Sequence, residues 1–518
     1  MSFVTVLSRA QIGLQAPLVR VEAHIGGGLP RFAIVGLAET AVKESRDRVR
    51  AAIRNSGLEF PQGRIIVNLA PADVPKEGGR FDLPIALGIL AASRQLSVSQ
   101  ETWHQYEFYG ELGLSGSIRG FRGALPVTLA ARADRRTLLV PFDNLDEVNV
   151  VTGGRVLAAE HLNTVIAHLS GTRKLPLEKT AVTDSCTESL PDLSDVRGQY
   201  YARRALEIAA SGGHSLLMIG PPGTGKSMLA TRLPGILPEM SAGEALETAA
   251  IHSLSTTGFF RQNWRVRPFR SPHHTASAVA LVGGGSNPRP GEISLAHHGV
   301  LFLDELPEFQ RQVLEVLRQP MESGTIVISR AARQAEFPCR FQLVAAMNPC
   351  PCGHLGDPDV LCRCGVTQVQ RYRDRVSAPL LDRIDLQVAV TRVPRELLRL
   401  EAPPGESSEQ VRLRVRQARK LQVARGAACN AMLSEPDLRE FCMLDKKGSA
   451  LIEQAMKKLS FSARAYKRIL RVARTIADLA DAPTITAENV AEAISFRELN
   501  RRQPVDKTPL RQSAGTTL

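Results

Sequence analysis

The sequence reads Gly220-Pro221-Pro222-Gly223-Thr224-Gly225-Lys226-Ser227 directly after the apolar segment Ser215-Leu216-Leu217-Met218-Ile219. The apolar segment is typical of a buried strand, and a helical pattern begins at once after the glycine-rich stretch. In this context G-x-x-x-x-G-K-S is a phosphate-binding loop. Its glycines let backbone N–H groups turn toward phosphate oxygens, and the helix N-terminus adds partial positive charge. We expect Lys226 to reach the β- and γ-phosphates of ATP and the Ser227 hydroxyl to ligate Mg²⁺.

Two further apolar segments end in polar residues. Val300-Leu301-Phe302-Leu303 is followed by Asp304 and Glu305. This pattern predicts that Asp304 holds Mg²⁺ and that Glu305 orients and deprotonates the attacking water. A third strand, predicted over 342–346, leads to Asn348, whose amide can position the same water.

Arginines near the end of this region suggest a site shared between subunits. Arg383 could reach the γ-phosphate held by a neighbouring subunit, since a bidentate arginine stabilises the charge of phosphoryl transfer. The alternative is a salt bridge to Asp382 or Asp385. Three arginines spaced by four and three residues share one face of a later helix: Arg464, Arg468 and Arg471. We favour Arg464 as a second γ-phosphate sensor, with Arg468 as the competitor; the face could instead bind DNA or be solvated.

Composition restricts the class of protein. The chain has 518 residues, 43% hydrophobic and 23% charged, which suggests about three globular domains. Collagen, mucin-like, disulfide-rich secreted and wholly disordered classes are excluded. The longest apolar run, 83–92, is about half of the ~20 residues that a bilayer requires. The first residues lack the pattern of a signal peptide. We therefore expect a cytoplasmic protein with no membrane partner.

Patterning divides the chain into five regions. Residues 1–174 read as compact α/β structure, and 175–199, with few large apolar residues, as a linker. Residues 200–395 alternate strands and helices, which is typical of a parallel sheet covered by helices. Residues 396–500 read as long basic helices, and 501–518 as a disordered tail.

Basic charge is concentrated in one part of the chain. The formal net charge is +13. Residues 1–174 carry 20 Lys/Arg and 16 Asp/Glu, a net of +4, whereas 411–474 carry 16 and 5, a net of +11. A local excess of this kind favours a polyanionic partner such as nucleic acid. The alternative is a solvated basic helical face.

Together these motifs identify a family. The order of the phosphate loop, Asp304-Glu305, Asn348 and Leu381-Asp382-Arg383 resembles an AAA+ ATPase of the magnesium-chelatase/MCM branch. More specific stretches resemble the ComM/YifB family of magnesium chelatase-like proteins: Gly198-Gln199-x-x-Ala202-x-Arg204-Ala205, Arg270-Ser271-Pro272-His273-His274-Thr275 and Asn348-Pro349-Cys350-Pro351-Cys352-Gly353. The resemblance extends over essentially the whole chain. It implies a hexameric ring that uses ATP and Mg²⁺ to drive DNA branch migration during natural transformation, and it does not imply chelatase activity.

The resemblance also gives a reading of the N-terminal region. Residues 110–127 resemble the Lon protease fold, whose protease uses a Ser–Lys dyad. No Ser stands in 77–81 and no Lys stands near Leu125, where the dyad should align. Without a nucleophile and base there is no route to acyl transfer. We therefore expect an inactive Lon-like scaffold or DNA-contacting domain, followed by an AAA+ core and a helical lid.

ATPases of this branch carry inserts that face the pore of the ring, and two segments are candidates here. The first, between residues 250 and 272, interleaves arginines with aromatic residues. The second, 325–337, is predicted to be a hairpin. The candidate DNA contacts in the two segments are Arg261, Arg265, Arg267, Arg330 and Arg333. Such residues would hold phosphates without reading sequence, on single-stranded or branched DNA. The alternative is structural loops with solvated arginines.

Four of the eight cysteines lie close together, in two Cys-x-Cys-Gly repeats. They are Cys350, Cys352, Cys362 and Cys364. Four thiolates at this spacing can form a tetrahedral structural Zn²⁺ site. Plain reduced thiols or a redox pair are the alternatives.

Two classes of function remain. The first is a DNA motor built as a ring of identical subunits. The second is an ATPase that remodels proteins or inserts a metal, acting on a partner that is not nucleic acid. The basic segment 411–474 favours the first. A DNA-binding scaffold with a vestigial ATPase is opposed by the complete set of catalytic residues.

Overall fold

The structure is a computed structural model that describes residues 3–36, 40–178, 190–285, 288–330, 333–399, 403–459 and 461–497. The predicted tail, 501–518, and residues 179–189 of the predicted linker lie outside these ranges. The chain forms an N-terminal unit, a central unit and a C-terminal helical unit.

The N-terminal unit is α/β. Its strands are β1 (Phe3–Arg9), β2 (Leu18–Gly26), β3 (Arg31–Val35), β4 (Arg64–Ala70), β5 (Tyr106–Phe108), β6 (Glu111–Leu112), β7 (Ile118–Arg119), β8 (Thr137–Pro141) and β9 (Arg155–Ala159). Its helices are α1 (Thr40–Asn55), α2 (Asp82–Ala92), α3 (Gln100–Gln105), α4 (Ala124–Ala133), α5 (Leu145–Val148) and α6 (Leu162–Leu169). One sheet has the order β1-β2-β4-β3 and a second, parallel sheet has the order β5-β8-β9.

The longest apolar run of the sequence forms helix α2, which is buried along its whole length and packs against α1, β1 and β2. Its first residue, Asp82, is also buried and accepts a 2.7 Å hydrogen bond from Arg48. A buried carboxylate requires such a partner. Within the described ranges, no helix is both long enough and apolar enough to span a bilayer.

The central unit is built on a parallel sheet. Its strands and the two β-ribbons beside them are β10 (Leu216–Ile219), β11 (Phe269–Arg270), β12 (Gly283–Gly284), β13 (Arg289–Pro290), β14 (Val300–Leu303), β15 (Thr325–Arg330), β16 (Arg333–Pro338), β17 (Gln342–Met347) and β18 (Leu386–Ala389). The parallel sheet has the order β11-β14-β17-β10-β18. The strands predicted for the phosphate loop, for Asp304-Glu305 and for Asn348 are therefore adjacent, and their carboxyl ends share one edge.

Helices cover this sheet: α7 (Tyr200–Gly212), α8 (Lys226–Ile236), α9 (Ala242–Ser253), α10 (Ala278–Val282), α11 (Glu292–Leu295), α12 (Arg311–Glu315), α13 (Pro320–Ser323), α14 (Val366–Arg373) and α15 (Ala378–Leu381). Leu193 and Val196 are buried in the same core. These two residues of the predicted linker therefore pack with the central unit. The predicted mixed α/β fold class with a parallel sheet is confirmed.

The C-terminal unit is helical: α16 (Ser408–Ala424), α17 (Glu435–Phe441), α18 (Lys446–Leu459), α19 (Ala463–Leu479) and α20 (Ala487–Ser495). Helices α16 and α19 pack on α7, so this unit and the central unit share one apolar core. As predicted for 396–500, the described residues of this unit form helices and no strand, apart from one isolated bridge, Leu444 to Ile485.

Much of the basic charge of 411–474 serves internal contacts. Arg414 pairs with Glu207 and Glu406, and Arg425 pairs with Asp478. By contrast, four lysines of α18 are exposed: Lys446, Lys447, Lys457 and Lys458. The charge available to a partner is therefore smaller than the sequence count suggests.

Candidate active site

The phosphate loop occupies residues 220–225, between β10 and α8. A Cβ at Gly220 would lie 2.1 Å from the carbonyl oxygen of Val390, so this position tolerates only glycine. Gly225 has φ +87°, in the left-handed region that glycine adopts without strain. The Thr224 hydroxyl donates a 2.9 Å hydrogen bond to the carbonyl of Pro221 and closes the loop.

Lys226 lies at the start of α8 and is buried. Its Nζ donates hydrogen bonds to the carbonyls of Gly220 and Pro221, at 2.8 and 2.9 Å, and to Oδ1 of Asn348 at 3.1 Å. Burial lowers the pKa of Lys226, and the nearby carboxylates of Asp304 and Glu305 act in the opposite direction. The lysine and the amide predicted to act on the γ-phosphate and on water are therefore in direct contact.

The predicted magnesium ligands also meet. Ser227 Oγ donates a 2.6 Å hydrogen bond to Oδ2 of Asp304, which follows β14. Glu305 has φ +52°, an uncommon backbone conformation for a residue with a side chain and one that concentrates at functional sites. Its carboxylate is half-exposed and lies 3.2 Å from Nδ1 of His274. A hydroxyl and a carboxylate beside a phosphate loop form a hard-oxygen ligand set that suits Mg²⁺.

Asn348 is held from two directions. It directly follows β17, the neighbour of β10 and β14, and its backbone N–H is hydrogen-bonded to Tyr372 on α14. Burial raises the pKa of Tyr372 to about 12, so this phenol stays neutral. Tyr372 thus holds the backbone of Asn348, and Lys226 holds its amide side chain.

Gln199 and His274, which belong to the family motifs at 198–205 and 270–275, contact the residues of the site. Gln199 Nε2 donates to the carbonyls of Thr224, at 2.7 Å, and Thr391, at 2.9 Å, and so braces the phosphate loop against the end of β18. His274 contacts the predicted catalytic carboxylate of Glu305. Their motifs marked them in the sequence, but spacing alone gave no indication of what each would contact.

Arg383 lies away from solvent in the single chain. Its side chain is 7% exposed, and it donates to the carbonyl of Pro379 at 2.7 Å and pairs with Oε1 of Glu322 at 2.9 Å. The alternative partners considered from the sequence, Asp382 and Asp385, are not the ones that hold it. Arg464 is 49% exposed and reaches the same Oε1 of Glu322 at 3.1 Å. The two predicted phosphate-sensing arginines therefore share one carboxylate.

Arg468 is bound to the buried Asp385. Burial alone would raise the pKa of Asp385, but the charge of Arg468, the nearby ring of His214 and a hydrogen bond from the backbone N–H of Ser215 hold it well below its usual range. Removing one member of such a buried pair leaves an uncompensated charge. Arg468 therefore has a structural partner, and Arg464 is the better placed of the two candidates for a phosphate.

The two candidate DNA-contact segments differ. Trp264 is buried between the N-terminal and central units, where it packs with Leu125 and Met240. Arg267 is 14% exposed and donates to the carbonyls of Pro238 and His298, at 2.6 and 2.7 Å. These contacts make the middle of segment 250–272 structural. Arg267 is therefore unsuited to hold DNA.

The other two candidate DNA contacts in that segment, Arg261 and Arg265, are both partly buried. Arg265 also has φ +63°, in the left-handed region. The hairpin predicted over 325–337 is confirmed as the antiparallel pair β15 and β16. Its last register pair is Arg330 opposite Arg333.

The four clustered cysteines come together beside the site, after β17. The Sγ atoms of Cys350, Cys352, Cys362 and Cys364 lie within 4.8 Å of one another. They are free thiols in the structure.

A second cluster joins Glu247, His297 and His298, but its hydrogen bonds disfavour a metal. The backbone N–H of Arg340 donates to Nδ1 of His297, at 3.0 Å. In the neutral ring, Nε2 then carries the proton and donates to Oε2 of Glu247, at 3.1 Å. A protonated nitrogen has no lone pair for a metal.

Comparison with known proteins gives a consistent result. Residues 192–398 match the family described as magnesium chelatase, subunit ChlI, and 405–497 match the C-terminal part of that subunit. Residues 21–144 match subunit ChlI of Mg-chelatase. The magnesium-chelatase 38 kDa subunit of Cereibacter sphaeroides is 28% identical over 199 residues, which cover 35% of this chain and 59% of that protein.

Two relatives align along nearly their whole length. Competence protein ComM of Haemophilus influenzae is 50% identical over 505 residues, and YifB of Escherichia coli is 50% identical over 503. Each alignment covers 97% of this chain and 98% of the relative. With the phosphate loop, acidic pair and asparagine assembled at one sheet edge, the chain belongs to the ComM/YifB family of magnesium chelatase-like AAA+ ATPases.

Proposed function

We propose that this chain is an ATP-driven DNA motor of the ComM type. It acts as a ring, a hexamer in the presence of ATP and DNA, that promotes branch migration or unwinding of DNA joint molecules during natural transformation and recombination. The main observation in support of this proposal is that five side chains expected in a hydrolytic nucleotide site lie together at one edge of the sheet: Lys226, Ser227, Asp304, Glu305 and Asn348. The name of the relative, competence protein, supports the biological setting. The proposed location is the cytoplasm, where thiols stay reduced.

Each residue of the site has a separate role in this proposal. The loop Gly220, Pro221, Pro222, Gly223, Thr224 and Gly225 surrounds the phosphates, and Lys226 neutralises them. Ser227 and Asp304 hold Mg²⁺, which supplies charge stabilisation to the phosphates when bound. Glu305 accepts the proton of the attacking water, and Asn348 orients that water.

Assembly completes the site. Arg383 acts on the γ-phosphate held by the neighbouring subunit, and Arg464 senses the same phosphate. In the single chain both arginines lie on Glu322, which belongs to α13, immediately before the β15–β16 hairpin. Release of Arg383 from Glu322 is therefore part of ring activation.

DNA is held by its phosphates rather than read by sequence. Arg330 and Arg333 stand at the end of a two-stranded ribbon, the kind of projecting element that can enter a ring. Arg261 and Arg265 are secondary candidates. Helix α18 adds exposed lysines that recur three turns apart on one face, Lys446 with Lys457 and Lys447 with Lys458. These positive charges would give binding that weakens with salt.

A second candidate function has a specific observation in its favour. Much of the basic segment is neutralised within the chain, which weakens the charge argument for DNA. An ATPase that remodels proteins, or one of the metal-chelatase type acting on a partner other than nucleic acid, would use the same nucleotide site. The partial match to a magnesium-chelatase subunit is consistent with it.

The test is the ATPase rate with and without single-stranded DNA at low salt. We expect stimulation by DNA in the parent protein and in Arg155→Ala, a control on the exposed end of β9. The double variant Arg330→Ala/Arg333→Ala should keep the unstimulated rate and lose most of the stimulation. An ATPase that DNA does not stimulate at low salt would favour the second candidate.

A further inference from the structure

The segment between β17 and α14, residues 348–365, contains neither a strand nor a helix. Its small core consists of Cys350, Cys364 and Val369, with Cys352, Cys362 and Leu355 packed beside them. Long segments without secondary structure are uncommon in compact domains unless something fixes them. Four thiols are a poor apolar core, so the segment needs another source of order.

Distances between the sulfurs fit one metal ion. Cys350 Sγ lies 3.4 Å from Cys352 Sγ and 3.7 Å from Cys362 Sγ, and the last two are 3.6 Å apart. A tetrahedral ion with Zn–S bonds of about 2.3 Å places its four sulfurs about 3.8 Å apart. These three sulfurs thus have nearly the edge lengths of a zinc tetrathiolate, and Cys364 Sγ lies within 4.8 Å of each of them.

Surrounding amides complete the environment of such a site. A backbone N–H of Leu355 is hydrogen-bonded to Cys350, and those of His354 and Arg363 are hydrogen-bonded to Cys352. Donors of this kind stabilise thiolate charge and orient ligands around a metal. Isolated cysteines in a core have no need of them.

Other uses of the cysteines fit less well. A disulfide requires an S–S distance of about 2.05 Å, well below the separations found. An iron–sulfur cluster places several metal and sulfide atoms between its ligands, and four sulfurs within 4.8 Å leave room for one ion only. A redox pair would use two cysteines and would leave the other two unexplained.

The segment forms one wall of the phosphate loop. Gly353 has φ +83°, and a Cβ there would lie 2.6 Å from Cδ of Pro222. The buried carboxylate of Asp357 pairs with His354, at 3.0 Å, and with Arg392, at 2.9 Å, just beyond β18. The cysteine segment therefore contacts the phosphate loop through Gly353 and the residues after β18 through Asp357.

We propose that Cys350, Cys352, Cys362 and Cys364 bind one structural Zn²⁺ and that this ion holds residues 348–365 against the phosphate loop. The metal supplies the order that the segment lacks, and the contact of Gly353 with Pro222 transmits it to the nucleotide site. The metal assignment is independent of the DNA activity proposed above.

Metal content tests the assignment. Protein purified without a metal-binding tag, under reducing conditions, should contain about one zinc per chain by elemental analysis. Cys362→Ser should lose it, whereas Cys429→Ser, a buried cysteine of the C-terminal unit, should retain it. Protein loaded with Co²⁺ should show the visible absorption of a tetrahedral thiolate site. Stoichiometric iron, zinc retained in Cys362→Ser, or four freely titrating thiols in metal-free native protein would each overturn the proposal.

Coupling to the nucleotide site needs a variant that keeps the metal. Gly353→Ala places a Cβ against Pro222 at a left-handed backbone position that a side chain strains. We expect roughly tenfold weaker ATP binding with zinc content unchanged. Gly171→Ala, at a left-handed glycine of the N-terminal unit with open space around it, is the matched control for backbone strain. Parental ATP affinity in Gly353→Ala would refute the coupling.

Discussion

Ser227 Oγ donates a 2.6 Å hydrogen bond to Oδ2 of Asp304. The two residues stand 77 positions apart in the sequence and follow two strands, β10 and β14, that are separated in the sheet by β17. Their contact shows that the phosphate loop and the acidic strand end form one site. Asn348, which follows the intervening strand, completes it through Lys226.

Glu305→Gln should retain ATP binding and reduce turnover at least about a hundredfold, because the amide preserves size but cannot accept the proton of water. Lys226→Ala should lose both ATP binding and turnover, since it removes the positive charge that contacts the phosphates. Binding of a fluorescent nucleotide and steady-state hydrolysis separate the two effects. A parental rate in Glu305→Gln would show that another group is the base.

Activity should depend on assembly, because Arg383 is proposed to act in the neighbouring site. The rate per subunit should rise with protein concentration until rings form. Arg383→Ala and Lys226→Ala proteins, each inactive alone, should recover part of the activity when mixed, since each supplies the group that the other lacks. A monomeric species with a rate independent of concentration would contradict this.

Glu322→Gln should increase the ATPase rate measured without DNA and decrease the stimulation by DNA, because the substitution frees Arg383 and Arg464 from their shared carboxylate. The carboxylate of Glu322 that both arginines share is half-exposed, and ion pairs of exposed carboxylates are worth about 1 kcal/mol or less, so the rate should change by up to about fivefold. Glu315→Gln, which breaks a surface pair with Arg318, is the matched control. Equal effects of the two substitutions would refute a special role for Glu322.

Stability should fall in mild acid because of His297. Burial and the neighbouring His298 lower the pKa of His297 from 6.5 to about 4. Below pH 6.5 the unfolded chain takes up a proton that the folded protein does not, so folding weakens as the pH falls toward 4 and is unaffected above 6.5. Between pH 8 and pH 5 the loss from this residue amounts to about 2 kcal/mol.

Urea unfolding at several pH values measures this loss. His297→Gln lacks the titrating group, so its free energy of unfolding should decline less between pH 6.5 and 5 than that of the parent protein. His104→Gln, a residue at an exposed position on α3, should decline as the parent does. If the free energy of unfolding declined equally with falling pH in all three proteins, His297 would not be the group that controls stability in acid.

Local sequence pattern was sufficient for much of the fold. The strand predicted at 300–303 matches β14, and the hairpin predicted over 325–337 matches β15 and β16. The phosphate loop needs its glycines for backbone reasons that the sequence already displays, as at Gly225. These features depend on short-range chemistry, so spacing and residue type predict them.

The partners that side chains find in distant parts of the chain could not be predicted from the sequence. Arg267 stands among arginines and aromatic residues as a DNA contact would, yet its guanidinium donates to the carbonyls of Pro238 and His298 in the central unit. The alternative considered for Arg383 was a salt bridge to Asp382 or Asp385, but its partner within the chain is Glu322, which lies 61 positions earlier. The sequence shows that a buried arginine needs hydrogen-bond acceptors, but it does not show which distant element of the fold supplies them.

Strand exchange in a branched DNA is the decisive measurement. A labelled strand in a mobile three-strand joint should be displaced by the parent protein with Mg²⁺ and ATP, and should stay in place with Glu305→Gln or without ATP. Displacement should also fall in Arg330→Ala/Arg333→Ala. Protein that hydrolyses ATP as an assembled ring yet leaves the joint unchanged under every condition would contradict the proposed DNA motor.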